Sequence, residues 1–159
     1  MAYPNTELLI NAIISHFKKF RDLNSKRIVG IGFLCDWKHC IEYGTAISEC
    51  DWEIRDNWIK SEQFLYSLYT SEILEFDKMD YASIPVVKQI PNYPYKPNSS
   101  IDTVCTHVFS TLETRTDFDL DKIILSTYPF KYNGPIELKT IASEYTSIHG
   151  REYFNRKIA

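Results

Sequence analysis

The run Ile28-Val29-Gly30-Ile31-Gly32-Phe33-Leu34-Cys35 carries no charged, hydroxyl or amide side chain, so any fold of this chain has to bury it. The run is short and rich in β-formers. Beyond it, Ile41, Tyr43, Thr45 and Ile47 alternate with smaller or polar residues, and both segments read as strands. Asp36-Trp37-Lys38-His39 between them reads as a four-residue hairpin loop. Gly30 and Gly32 fall on one face of the first strand, where they leave room for a helix to pack closely.

Helical periodicity brackets this hairpin. Asn5 or Thr6 can cap a first helix with Glu7 in its first turn, and Leu9, Ile13, His16 or Phe17, and Phe20 form its apolar face before the polar run Arg21 to Lys26. Trp52, Ile54, Trp58 and Ile59 belong to a third strand or an irregular segment. Ser61 caps a short helix containing Phe64, Leu65, Leu68 and Tyr69. Pro85, Pro91, Pro94 and Pro97 exclude a helix and mark 84–98 as a Pro-rich extended connection. Ser99 or Ser100 then caps a helix that buries Ile101, Val104, Cys105, Val108, Phe109 and Leu112. Lys122 to Tyr128 reads as a strand. Asn133-Gly134-Pro135 opens a last helix with proline at its first position, Leu138, Ile141, Tyr145 and Ile148 as its stripe, and Gly150 as its end.

These elements predict a single domain over residues 1–159, α+β (or α/β), with a central, largely antiparallel sheet packed by about three to four helices. The sheet faces are expected to bury Val29, Ile31, Phe33, Ile41, Tyr43, Ile123 and Leu125. A length of 159 residues suffices for one real core. No apolar stretch approaches the roughly 20 residues of a membrane span, and Met1 to Pro4 lacks the positive region of a signal peptide. The four cysteines, at 35, 40, 50 and 105, lack the spacing of a disulfide scaffold. Both observations point to a cytoplasmic protein. A net charge of −3 argues against direct nucleic-acid binding.

Catalytic motifs are weak. Cys35, His39, Cys40 and Cys50 are the right ligand types for structural zinc, but they form no Cys-x2-Cys knuckle and read as small strand residues beside a solvent-facing histidine. Cys105 and His107, two apart on a helix, point to different faces and cannot act as nucleophile and base. Gly30-Ile31-Gly32 is a lone Gly-x-Gly inside an apolar run, which is poor context for phosphate binding. A site assembled by the fold from His39, Cys40, Glu49 and Asp51 is the remaining enzyme reading. No cofactor or metal is expected, and a non-enzymatic role is favoured over an enzyme.

Charge distribution says more. Residues 36–80 hold eleven acids and four bases, while the rest of the chain is net positive. Trp37, Trp52 and Trp58 lie among those acids, and aromatic anchors among charges are ingredients of a protein interface. Glu49, Asp51, Trp52, Glu53 and Asp56 are the expected centre of a partner-binding surface, with Asp36 and Trp37 as further contacts. Such a surface would steer a basic partner.

The N-terminal helix, the pairing of Ile28-Val29-Gly30-Ile31-Gly32-Phe33-Leu34 with Cys40-Ile41-Glu42-Tyr43-Gly44, the acidic segment Asp51-Trp52-Glu53 and the later helices together resemble small bacterial immunity proteins of contact-dependent inhibition and related toxin systems. The resemblance implies a cytoplasmic inhibitor that neutralises a cognate toxin domain, such as a basic nuclease, by covering its active site. The 84–98 stretch has no counterpart in that pattern. An adaptor or structural subunit would carry the same surface features.

Overall fold

Asn24 and Gly44 decide how the apolar run folds. In the computed structural model, which describes residues 3–17, 24–71, 75–76, 87–89, 99–112 and 115–149, the Asn24 side chain accepts the Arg27 N–H at 2.8 Å. Gly44, at φ 80°, returns its N–H to the Cys40 carbonyl. Between these caps Ser25–Tyr43 is one helix. The expected hairpin over 28–47 is therefore corrected, and Asp36 to His39 is no loop but the middle of this helix. The reason is burial on all sides. Every residue from Ile28 to Ile41 is buried, and a helix surrounded by protein needs no polar face. Its apolar run then matches that of a buried strand, and periodicity does not separate them.

The element order is α1 (Pro4–Phe17), α2 (Ser25–Tyr43), β1 (Trp52–Arg55), β2 (Trp58–Lys60), α3 (Glu62–Tyr69), β3 (Glu75–Phe76), β4 (Val87–Gln89), α4 (Ser99–Leu112), α5 (Asp117–Leu125), a 3-10 turn (Tyr128–Lys131), β5 (Gly134–Ile136) and α6 (Leu138–His149). Helices α1, α3, α4, α5 and α6 and strand β2 all contact α2. The chain is thus an α+β domain whose centre is a helix, with a small antiparallel sheet in the order β2-β1-β5 beside it. β1 and β2 are joined by Asp56 and Asn57, both at positive φ (56° and 57°), the geometry of a two-residue hairpin turn that matches strand twist. β3 and β4 pair separately. β4 falls within 84–98, and the rest of that Pro-rich stretch lies outside the described residues.

Two further expectations change. Lys122 to Tyr128 is no strand. Thr116 and Asp119 form a reciprocal capping box that opens α5, and Leu120 and Ile124, four apart, turn inward. Gly134 and Pro135 do not start the last helix; they pair with β1 on a sheet edge, where proline's missing N–H is tolerated. α6 begins at Leu138 and buries Leu138, Ile141 and Tyr145 as expected, while Ile148 is exposed. The proposed end at Gly150, like Phe20 of the first helix, lies outside the described residues. α1, α3 and α4 lie where expected, α3 with Ser61 as its cap, but α1 begins at Pro4 and α4 at Ser99, so Asn5, Thr6 and Ser100 sit inside their helices rather than capping them. Of the residues assigned to the sheet core, Val29, Ile31, Phe33 and Ile41 are buried from α2, but Tyr43 and Leu125 are exposed.

Gly30 and Gly32 make room for helices, from within a helix. A Cβ on Gly30 would sit 2.5 Å from Ile124 Cδ1 of α5, and one on Gly32 2.4 Å from Phe64 Cε2 of α3. Among the described residues no helix is long and apolar enough to cross a membrane.

Candidate functional site

Asp36 is fully buried, and four donors converge on its carboxylate. Oδ1 accepts the Ile47 N–H at 2.9 Å and the Ser48 N–H at 3.0 Å; Oδ2 accepts the Trp52 indole N–H at 2.8 Å and the Ser48 hydroxyl. Burial pushes the carboxyl above its usual range, and these hydrogen bonds pull against that shift. The arrangement ties the segment after α2 back onto α2. Trp52 stands edge-on to Phe33 at 5.8 Å and also packs on Phe64. Trp37 stands edge-on to Tyr145 at 5.6 Å. Asp36, Trp37 and Trp52, expected at a partner surface, are thus core residues at 0%, 0% and 2% exposure. A helix in place of a hairpin turns the first two inward.

The remaining acids stay outside but separate into two groups. Glu53 lies on the outer side of β1, 3.1 Å from Arg55. Asp56 sits in the hairpin turn, 3.3 Å from Lys60. Each is accompanied by a base. Among the described residues no lysine or arginine pairs with Glu49 or Asp51. The Glu49 carboxylate accepts the N–H groups of Asn5 and Thr6 at 2.9 and 2.8 Å, and the Thr6 hydroxyl at 2.9 Å. It caps α1 from a distant part of the chain, where the helix dipole favours an anion. Partial burial acts against ionisation of Glu49, but the Asn5 and Thr6 hydrogen bonds outweigh it and hold the carboxyl below its ordinary value. Asp51 is clamped to α3: its N–H donates to Gln63 Oε1 at 3.2 Å, and Gln63 Nε2 donates to its carboxylate at 2.9 Å.

These contacts close a circuit. Asp51 reaches Gln63, one turn of α3 leads to Tyr66, and Tyr66 meets Tyr3 edge-on at 5.9 Å. Tyr3 precedes Asn5, which holds Glu49, two residues from Asp51. The start of α1, the 44–51 segment and α3 therefore share one surface. Residues 3–17, 44–51 and 61–71 contain four acids, Glu7, Glu49, Asp51 and Glu62, and no lysine or arginine; all four are exposed. Counting charges over 36–80 finds three of these acids but not Glu7, which only the α1–α3 contact brings alongside.

The enzyme and metal readings meet a different geometry. His39 is buried; its Nδ1 donates to the Thr45 carbonyl, leaving Nε2 3.2 Å from the Ser100 hydroxyl. Burial, with Asp36 nearby, pushes the Cys40 thiol up to about 12, so it stays protonated near neutrality. Glu49 and Asp51 are held at α1 and α3, so each of these four residues serves a different contact. Cys35 Sγ faces Cys105 Sγ at 3.9 Å, whereas Cys50 Sγ lies 3.5 Å from the Thr6 hydroxyl. Among the described residues no three His, Cys, Asp or Glu side chains gather as a metal site. A cavity lined by Arg27, Ile31, Leu112, Arg115, Thr116 and Leu120 has about 10 Å³, room for one water rather than a substrate.

No family model, no curated protein and no solved structure matches this chain.

Proposed function

We propose that this chain is a cytoplasmic, immunity-type inhibitor that binds a basic toxin domain, such as a nuclease, and covers its active site through an acidic surface. The observation that carries this reading is the face built from α1, 44–51 and α3, where Glu7, Glu49, Asp51 and Glu62 stand exposed without a lysine or arginine among its described residues. Four carboxylates on one face, with no lysine or arginine among its described residues, attract a basic surface and repel an acidic one. The centre of binding moves accordingly from the 53–56 end of the expected cluster, where Arg55 and Lys60 accompany the acids, to Glu49 and Asp51. The resemblance noted from the sequence now leans on α1, the acidic Trp52 segment and the later helices, since its hairpin is a helix.

The test starts from the gene neighbourhood. A toxin domain is expected immediately upstream, and co-expression of this chain should restore growth to cells producing that domain. With the purified pair, Asp51→Lys and Glu62→Lys should each slow association several-fold at low salt and by less at high salt, whereas Asp56→Lys changes it little. A neighbourhood of metabolic genes, or no growth protection, ends the inhibitor reading. Association unaffected by either reversal moves the surface elsewhere.

A further inference from the structure

The outward face of α3 is the reverse of what a water-facing helix presents. Phe64, Ser67 and Leu68 turn inward. Glu62, Leu65, Tyr66 and Tyr69, at the i, i+3, i+4, i+7 spacing of a single stripe, turn outward. Leu65 is 37% exposed, Tyr66 46% and Tyr69 49%. Tyr3 stands edge-on beside Tyr66 and widens the stripe. Ser61 caps the helix, and the Asp51–Gln63 clamp holds its first turn, so these rings are presented with little left to order on binding.

We infer that this stripe is the docking surface for a basic protein segment, one presenting lysine or arginine around an apolar side chain, with Tyr66 as the central anchor. The inference rests on the inhibitor reading above and names the part of the surface that supplies binding strength. Glu62 lies in the stripe, and Glu49 and Asp51 border it through the contact circuit, so apolar area and negative charge coincide. Tyrosine suits such a place. Its ring buries apolar area at low entropic cost, its hydroxyl remains able to hydrogen-bond, and its face attracts a cation. A second copy of this chain is a poor occupant, because pairing the face with itself would set four carboxylates against four. A nucleic acid fits no better, for the same reason of charge. A basic protein partner meets both the apolar and the electrostatic demand.

The experiment places the photo-crosslinking residue p-benzoylphenylalanine at position 66, 69 or, as a control on α6, at exposed Ile148. The chain is irradiated in cells of its source, and products are identified by mass spectrometry. Positions 66 and 69 should capture the same protein, of net positive charge and joined within a lysine- or arginine-containing segment, with no such product from position 148. Asp51→Lys should reduce that yield at least about tenfold, and Tyr66→Ala should weaken binding of the identified partner at least about tenfold, with circular dichroism unchanged. Tyr66→Phe should retain most of the affinity. Capture of a second copy, of a neutral or acidic protein, of the same products as at position 148, or of nothing overturns the inference. If the captured partner is basic but no toxin, the inhibitor reading fails and the docking surface stands. If an upstream toxin domain binds Tyr66→Ala and Tyr69→Ala unchanged but loses on-rate to Asp51→Lys, the docking surface fails and the inhibitor reading stands.

Discussion

At Asp36 four donors meet two oxygens, and only a carboxylate satisfies them all. In Asp36→Asn the amide nitrogen must face either the two backbone N–H groups of Ile47 and Ser48 or the Trp52 indole N–H and the Ser48 hydroxyl. The hydroxyl can rotate and accept; the indole and the backbone amides cannot. At least one buried donor therefore loses its acceptor, at a cost of about 1–3 kcal/mol. Asp36→Ala strips the acceptor from all four and should destabilise by roughly 3 kcal/mol or more. Urea denaturation of both variants checks the order: wild type most stable, then Asn, then Ala. An Asn variant as stable as wild type would mean that these hydrogen bonds do not anchor the segment after α2. Nothing local in the sequence marks Asp36 for this role. Its partners lie eleven to sixteen residues away, and they reach it only because α2 is a helix.

At the scale of the element, α2 explains both what the sequence disclosed and what it hid. Helices with one wet face, α1 and α4, are legible because their apolar residues recur at helical spacing, and α3 is legible through its Ser61 cap. α2 has no wet face between Ile28 and Ile41, so the strongest apolar signal in the chain carried no period. The information lay at its ends, in Asn24 as N-cap and Gly44 as a left-handed cap. At α5 it lay in the Thr116–Asp119 capping box. Glycine inside a helix costs about 1 kcal/mol relative to alanine, and the two in α2 are retained for different neighbours. A Cβ on Gly32 would drive into two atoms of the Phe64 ring, at 2.4 and 2.7 Å, in the buried core. A Cβ on Gly30 meets at close range only Ile124 Cδ1, the mobile end of a side chain. Gly32→Ala should therefore destabilise by about 1–3 kcal/mol despite its better helix propensity, and Gly30→Ala by about 1 kcal/mol or less. Thermal and urea melts of the two variants read the difference; equal losses would mean that Phe64 yields as readily as Ile124.

For the molecule as a whole, the helix at the centre ties folding to the candidate surface. α1 and α3 pack directly on α2, and the segment between α2 and β1 is fastened to it through Asp36. All three parts of the acidic face thus hang from one element, and so do α4, α5 and α6. No group of the described helices can leave without exposing α2, so the chain is expected to unfold in a single transition. The cysteines report on this directly. Cys35 of α2 and Cys105 of α4 are fully buried and face each other across the seam between these helices. The hydrogen bond to Cys105, together with burial, pushes the Cys35 thiol well above its usual range. Both should resist a soluble thiol reagent until the core opens, whereas the partly exposed Cys50 should react earlier. In a urea titration, labelling of Cys35 and Cys105, loss of far-UV circular dichroism and the shift in emission from Trp37 and Trp52 should share one midpoint. Binding of a basic partner should fail at that same midpoint, because the face has no existence apart from α2. Labelling of Cys35 and Cys105 at lower urea than the circular dichroism transition would show α4 opening away from α2 on its own. Because α4 also packs on α1, through Phe17 against Phe109 and His16 beside Asp102, such an opening would loosen the acidic face as well, and binding should then weaken along with the labelling transition rather than with the later loss of helix.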